Sequence, residues 1–218
     1  GWIVDSRTGC RFWNANPHLD ETIDWSGGCK AGLAEGRGVL RWYVKGKLVE
    51  TDEGTWESGR HQGHGRASLP DGRWAEGEFV HGRLNGGGVM GWPDGTRYEG
   101  DFLYGMATGH GHMTRANGDS YDGEFLDGTW SGHGVLTWAN GNRYDGDFVK
   151  GRRTGHGILT APNGDRYEGD FVDGMRQGHG VVTWGAGQWK GERYVGDFVK
   201  GKRTGQGLYV YANGARYE

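Results

Sequence analysis

Tyr144-Asp145-Gly146-Asp147-Phe148 returns 23 residues later as Tyr167-Glu168-Gly169-Asp170-Phe171. The same string stands earlier, at the same spacing, as Tyr121-Asp122-Gly123-Glu124-Phe125 and Tyr98-Glu99-Gly100-Asp101-Phe102. A fifth copy, Tyr194-Val195-Gly196-Asp197-Phe198, follows after 27 residues, with the extra four near Gly185–Lys190. In each copy a glycine lies three residues past the Phe and a Gly-X-Gly pair begins seven past it, as in Gly151, Gly155 and Gly157. Self-similarity at a fixed period of this length is the signature of a stacked repeat.

Tyr, Gly and Phe at i, i+2 and i+4 follow the period of a strand, so all three face one way. A second strand is read in the alternation of Gly155, Gly157, Leu159 and Ala161. Asp94-Gly95, Asn117-Gly118, Asn140-Gly141, Asn163-Gly164 and Asn213-Gly214 separate the repeats. They are read as tight turns with both residues at positive φ. Thr129-Trp130-Ser131, Arg152-Arg153-Thr154 and Lys202-Arg203-Thr204 are placed in the hairpin loops. A ring on one strand needs bare backbone beside it, and glycine supplies that. A lone hairpin buries too little to offset its ordering, so repeats must stack. The expectation is an all-β, single-layer antiparallel array of about eight hairpin repeats. At two strands per repeat it would be elongated, roughly 75 Å long, and curled so that the aromatic face forms a groove.

Three looser copies precede these. Trp25, Gly27, Cys29, Gly32, Gly36 and Gly38 fit the spacing. So do Gly54, Trp56, Gly59, Gly63 and Gly65, and Gly77, Phe79, Gly82, Gly86 and Gly88. Repeats therefore begin near 25, 52, 75, 98, 121, 144, 167 and 194, with a partial one from 217. Residues 1–24 are read as an N-terminal β-rich cap over the edge of the first hairpin. The two cysteines, Cys10 and Cys29, are read as a disulfide tying that cap to the first repeat, with two buried thiols as the alternative. Two cysteines alone make a poor zinc site, which needs four ligands.

The consensus Tyr-X-Gly-X-Phe-X-X-Gly-X-X-X-Gly-X-Gly resembles the MORN repeat (membrane occupation and recognition nexus) from Trp25 to Glu218. Cys29, Asp52 and Ala75 depart from it where an aromatic is usual. The lead-in Gly9-Cys10-Arg11-Phe12-Trp13-Asn14 resembles that of some bacterial members. The resemblance implies a protein-binding or membrane-associated scaffold, with dimerisation in some members. With a disulfide it favours a periplasmic or secreted setting over the cytoplasm.

Composition fits that reading. The 218 residues hold 47 glycines, about three times ordinary usage. Glycine with few rings would read as a linker; here 11 Trp, 10 Tyr and 7 Phe accompany it. Twenty-five basic and 28 acidic residues leave a net charge of −3, which gives no argument for nucleic acid. No stretch approaches the roughly 20 apolar residues of a membrane span. The start at Gly1 and the abrupt Tyr217-Glu218 suggest a trimmed or longer native chain.

The alternate positions form the opposite face. Glu99 and Asp101, Asp122 and Glu124, Asp145 and Asp147, Glu168 and Asp170 share it with Arg97, Arg143, Arg166 and Arg193, and with His64, His110, His133, His156 and His179. The plain reading is a solvated face of weak ion pairs; the alternative is an acidic stripe for a basic partner. Histidines about 10 Å apart cannot share one metal.

No P-loop, His-Glu-X-X-His or Gly-X-Ser-X-Gly string occurs, and the paired carboxylates repeat with the fold, whereas catalytic acids should be singular. The chain is read as a non-enzyme without cofactor. Its partner surface is placed on the aromatic face: Tyr98, Phe102, Tyr121, Phe125, Tyr144, Phe148, Tyr167, Phe171, Tyr194 and Phe198, with Trp138 and Trp184. That surface would take a protein or peptide, or a second copy of the chain. Membrane lipid headgroups are the second candidate, on a basic loop edge of Lys150, Arg152, Arg153, Lys200, Lys202 and Arg203. Glycans are the third, on Trp92, Trp130, Trp138 and Trp184.

Overall fold

The computed structural model describes residues 1–218. Every regular element is a strand except one 3-10 turn, Gly187–Trp189, which takes up the extra residues of the long repeat. No helix is long and apolar enough to cross a membrane. The chain divides into two compact units, Gly1–Thr108 and Gly109–Glu218.

The first unit holds β1 (Trp2–Val4), β2 (Arg11–Trp13), β3 (Glu21–Trp25), β4 (Gly28–Lys30), β5 (Leu33–Val44), β6 (Lys47–Glu57), β7 (Arg60–Ser68), β8 (Trp74–Val80), β9 (Arg83–Gly91) and β10 (Arg97–Leu103). The division falls within β11 (Met106–Thr114). The second unit continues through β12 (Ser120–Leu126), β13 (Thr129–Thr137), β14 (Arg143–Val149), β15 (Arg152–Thr160), β16 (Arg166–Val172), β17 (Met175–Thr183), β18 (Arg193–Val199), β19 (Lys202–Val210) and β20 (Arg216–Tyr217). From β12 on, each strand pairs antiparallel with the next.

Two turns alternate. Within a repeat, Val149 reaches Arg152 through Lys150 and Gly151, both at positive φ (49° and 75°). That is the two-residue type I′ combination, whose twist matches the flanking strands. The hairpin loop is thus shorter than the sequence reading had it: residues 129–131, 152–154 and 202–204 belong to β13, β15 and β19. Between repeats, the Gly164 N–H donates to the Ala161 carbonyl (2.9 Å) and the Ala161 N–H to the Asp165 carbonyl (2.8 Å). Only the glycine of Asn163-Gly164 has positive φ (86°). The Asn163 side-chain oxygen instead accepts the Asp165 N–H (3.0 Å). Asn-Gly here closes the longer turn that ends in a glycine bulge, not the I′ pair read from the sequence.

The two glycines of a Gly-X-Gly pair have separate reasons to be there. Between Gly146 and Asp147 the register against β15 shifts. This bulge is made by Gly155 at φ 60°, a conformation costly for a side chain. Simple alternation from Gly155 onward therefore breaks at the bulge. Gly157 keeps register opposite Gly146, and a Cβ on it would stand 2.5 Å from Cε2 and Oη of Tyr144. The ring lies flat on that bare backbone. Its hydroxyl donates to the Asp147 carbonyl (3.2 Å), beside the bulge. Tyr98, Tyr121 and Tyr167 repeat the bond to Asp101, Glu124 and Asp170 at 2.9–3.0 Å.

In the second unit, Tyr121, Tyr144 and Tyr167 each pack edge-on against two Phe rings. Tyr144 meets Phe148 of its own repeat (5.3 Å) and Phe171 of the next (5.0 Å), and Tyr121 and Tyr167 do the same with their neighbours. These contacts join consecutive hairpins into one core.

In the first unit, Phe12 packs edge-on against Trp25 (5.3 Å), and Trp25 against Trp56 (4.7 Å). Cys10, Ile23, Ala34 and Leu40 complete this cluster. β2 joins β5 in parallel, and β3 and β4 join it antiparallel. A Cys10–Cys29 disulfide links the start of the chain to β4. Beside it, the buried Asp5 carboxylate accepts the outward Trp25 N–H (3.3 Å), and Arg7 donates to the Trp25 carbonyl.

Candidate functional site: the aromatic face

All ten Tyr and Phe residues assigned to the aromatic face lie on it, but they are buried. Tyr121 and Tyr144 are 0% exposed, and the most exposed of the ten, Tyr194, only 8%. They form the core and not an open stacking platform, contrary to the exposed rings read from the sequence. The reason is the tight fit on glycine: a ring in contact with bare backbone below and Phe edges on both sides leaves little surface to water. Burial pushes the hydroxyls of Tyr98, Tyr144 and Tyr167 up to about 12, and Tyr121 higher still.

What a partner would meet is the layer above those rings. It is set by one position, five residues past the Phe, whose occupants Trp130, Arg153 and Arg203 the sequence reading placed in the hairpin loops. Pairing places it directly opposite the Phe: Trp130 faces Phe125, Arg153 faces Phe148, Arg176 faces Phe171, and Arg203 faces Phe198. Trp130 stacks flat on Tyr121 (4.5 Å, 11°). The guanidiniums of Arg153, Arg176 and Arg203 lie over Tyr144, Tyr167 and Tyr194 at 5.4, 4.6 and 5.3 Å. The legible signal was a large residue at this same offset in four successive repeats.

Where the Tyr is lost, the same position takes over its slot. Asp52 replaces Tyr in the second repeat, and the His61 ring sits against Gly54 and Gly65, stacked between Trp56 (4.5 Å) and Phe79 (4.1 Å). Ala75 replaces it in the third, and Leu84 lies against Gly77 and Gly88. Trp25 holds the slot in the first repeat, over Gly27 and Gly38. His61 Nε2 has no hydrogen-bond partner, and burial lowers its pKa to about 4. Asp52 keeps a bond from the Trp42 indole (3.0 Å), and burial raises its carboxyl well above the ordinary value.

Trp138 and Trp184 are half-buried on the aromatic face, beneath Arg153 (5.3 Å) and Arg203 (5.8 Å). A groove of about 640 Å³ opens at Trp184, lined among others by Tyr167, Arg176, Val182, Phe198 and Arg203. The Trp set assigned to glycans is not one platform: Trp130 is 8% exposed and covered by Arg115 (4.4 Å).

The basic loop edge is divided between faces. Neighbours in a strand point opposite ways, so Arg153 and Arg203 belong to the aromatic face while Arg152 pairs with Asp173 (3.2 Å). Lys150 and Lys200 do occupy the turns of the sixth and eighth repeats, but Asp127 and Asp173 hold the same place in the fifth and seventh. The edge carries alternating charge.

The opposite face is a run of solvated ion pairs. His133 reaches Asp145 (3.0 Å) and Asp147 (3.2 Å), and Arg143 reaches Asp145 (2.8 Å). The Asp147 bond holds the His133 pKa above its ordinary value. His156 repeats both contacts, to Glu168 (3.8 Å) and Asp170 (3.6 Å), whereas His179 keeps only Asp197 (3.3 Å), with Val195 in place of the second acid. No group of three or more His, Cys, Asp and Glu is placed to hold a metal.

The MORN repeat model matches residues 25–46, 53–72, 76–97, 98–120, 121–143, 144–166, 167–189 and 194–216. The chain therefore belongs to the MORN-repeat family, as an all-β protein of eight hairpin repeats. No curated protein matches the sequence. Among solved structures it is similar to the TCP domain of Drosophila melanogaster SAS-4 in complex with a proline-rich motif of Ana2, at 14% identity over 71% of this chain and 82% of that one, TM-score 0.45. The TCP10 domain of Danio rerio CPAP in complex with a STIL peptide is similar at 12% identity over 83% and 77%, TM-score 0.30.

Proposed function

We propose that this chain is a non-enzymatic scaffold that holds a protein or peptide partner on the aromatic face of its C-terminal repeats. The observation that carries the reading is the groove in which half-buried Trp184 and the cations above the Tyr rings stand at the surface of a rigid apolar floor. Trp and Arg in such pockets are the residues that dominate interfaces. The floor is already packed, so binding orders little and loses little entropy. The repetition of every His–carboxylate pair with the fold supports a structural use of those groups. The Cys10–Cys29 disulfide supports an oxidising compartment, periplasmic or secreted.

A photo-cross-linking residue placed at Trp138 or Trp184 in the native compartment tests the site. The expected result is capture of a polypeptide from these positions and none from Lys150 or Lys200, which stand in the turns. Trp184→Ala should weaken that complex by about thirtyfold. Capture only from the turns would overturn the reading, and capture of a second copy of the chain would make the partner itself.

A further inference from the structure

Arg153, Arg176 and Arg203 occupy the same place in three successive repeats, so they form one row across the strands of the second unit. On the opposite face arginines are matched: Arg143 with Asp145 (2.8 Å) and Arg166 with Glu168 (2.6 Å). Arg152, directly beside Arg153, has Asp173. In the row itself no guanidinium has a carboxylate. Arg153 donates to the Gly174 carbonyl (2.7 Å), and each of the three lies over a Tyr ring. The one carboxylate in the groove, Asp165, is engaged by the Gly185 N–H (2.9 Å) and by Asn163 (3.0 Å). Arg153 and Arg176 are half-buried. Burial lowers the pKa of both, and Arg176 lowers that of Arg153 further. Cations taken partly out of water with no anion carry a cost that a carboxylate would relieve.

The spacing identifies the shape of that anion. The arginines are two strands apart, or about 9.6 Å. A β-strand presents side chains to one side every second residue, at about 6.7 and 13 Å, and fits neither. A polyproline II segment has three residues per turn and advances about 9.3 Å, so every third side chain meets the row.

We propose that the row of Arg153, Arg176 and Arg203 is a docking site for an extended acidic peptide of polyproline II form, with Asp or Glu at every third residue. This rests on the reading that the aromatic face is the partner surface, and gives that partner a chemistry. A bilayer of anionic lipid is the competing anion; it favours protruding charge, whereas Arg153 and Arg176 are sunk among rings.

The test uses the full chain and a labelled peptide of Glu-Pro-Pro triplets, followed by fluorescence anisotropy, beside Gln-Pro-Pro and Lys-Pro-Pro peptides. The Glu peptide should bind, the Lys peptide should not, and added salt should weaken the complex. Arg176→Gln should weaken it roughly tenfold, and Lys150→Gln should leave it unchanged. Arg176→Lys, which keeps the charge, guards against a folding defect, with circular dichroism on each variant. Equal binding of the Glu and Gln peptides would overturn the charge assignment while leaving the face as a binding surface. Absence of binding by either peptide would overturn the acidic partner alone, since cross-linking from Trp184 decides the face independently. Sedimentation with phosphatidylserine vesicles, lost in Arg176→Gln and not competed by the Glu peptide, would assign the row to lipid and overturn the peptide.

Discussion

The second and third repeats and the sixth and seventh solve one packing problem in two ways. In the sixth, Tyr144 reaches from the first strand over Gly146 and Gly157, its hydroxyl donates to a carbonyl by the bulge, and Arg153 rests on top. In the third, Ala75 leaves the slot and Leu84 fills it from the opposite strand. In the second, His61 does so and leaves Nε2 without a partner. The difference teaches that the invariant is a filled slot above paired glycines. The residue five past the Phe is free to carry a surface function only where a Tyr already fills that slot. The arginine row exists in the repeats where the Tyr is present.

The largest expected effect comes from breaking the filled slot. Tyr144→Ala should cost about 4 kcal/mol, measured by chemical denaturation. Adding Arg153→Leu recreates the arrangement of the third repeat and should recover roughly half of that. A double variant no more stable than the single would show that Leu84 does not substitute for a Tyr in the way described.

A smaller effect is expected from pH. His61 is held neutral, with a folded value of about 4 against the ordinary 6.5. As pH falls from about 6.5 toward 4, the unfolded chain takes up a proton that the folded chain resists. Stability is therefore complete above that window and lost within it, by up to about 3 kcal/mol. Glu50 and Asp52, raised by burial, act with the opposite sign and stabilise as pH falls. The quantity to measure is thus the pH dependence of wild type minus that of His61→Leu, in which the carboxyls cancel. A flat difference would mean that His61 reaches water in the folded protein.

The smallest effect isolates the hydroxyl. Tyr144→Phe removes the bond to the Asp147 carbonyl and should cost about 1 kcal/mol. Tyr194→Phe, where the hydroxyl makes no hydrogen bond, should cost close to nothing. Equal losses at the two positions would remove the bulge carbonyl from the account.

The sequence by itself determined the repeat, its phase, the hairpin strands and the identity of the face that holds the rings. It did so because spacing at i, i+2 and i+4 and a 23-residue period are local properties of the chain. Tertiary structure alone decided which side chains reach a partner. The bulge at Gly155 shifts the register, the Lys150-Gly151 turn moves the reversal, and pairing then sets Arg153 opposite Phe148 and over Tyr144. None of these follows from alternation along one strand. Whether a ring is surface or core depends on how closely glycine lets two backbones and a Tyr approach, and that distance exists only once the strands are side by side.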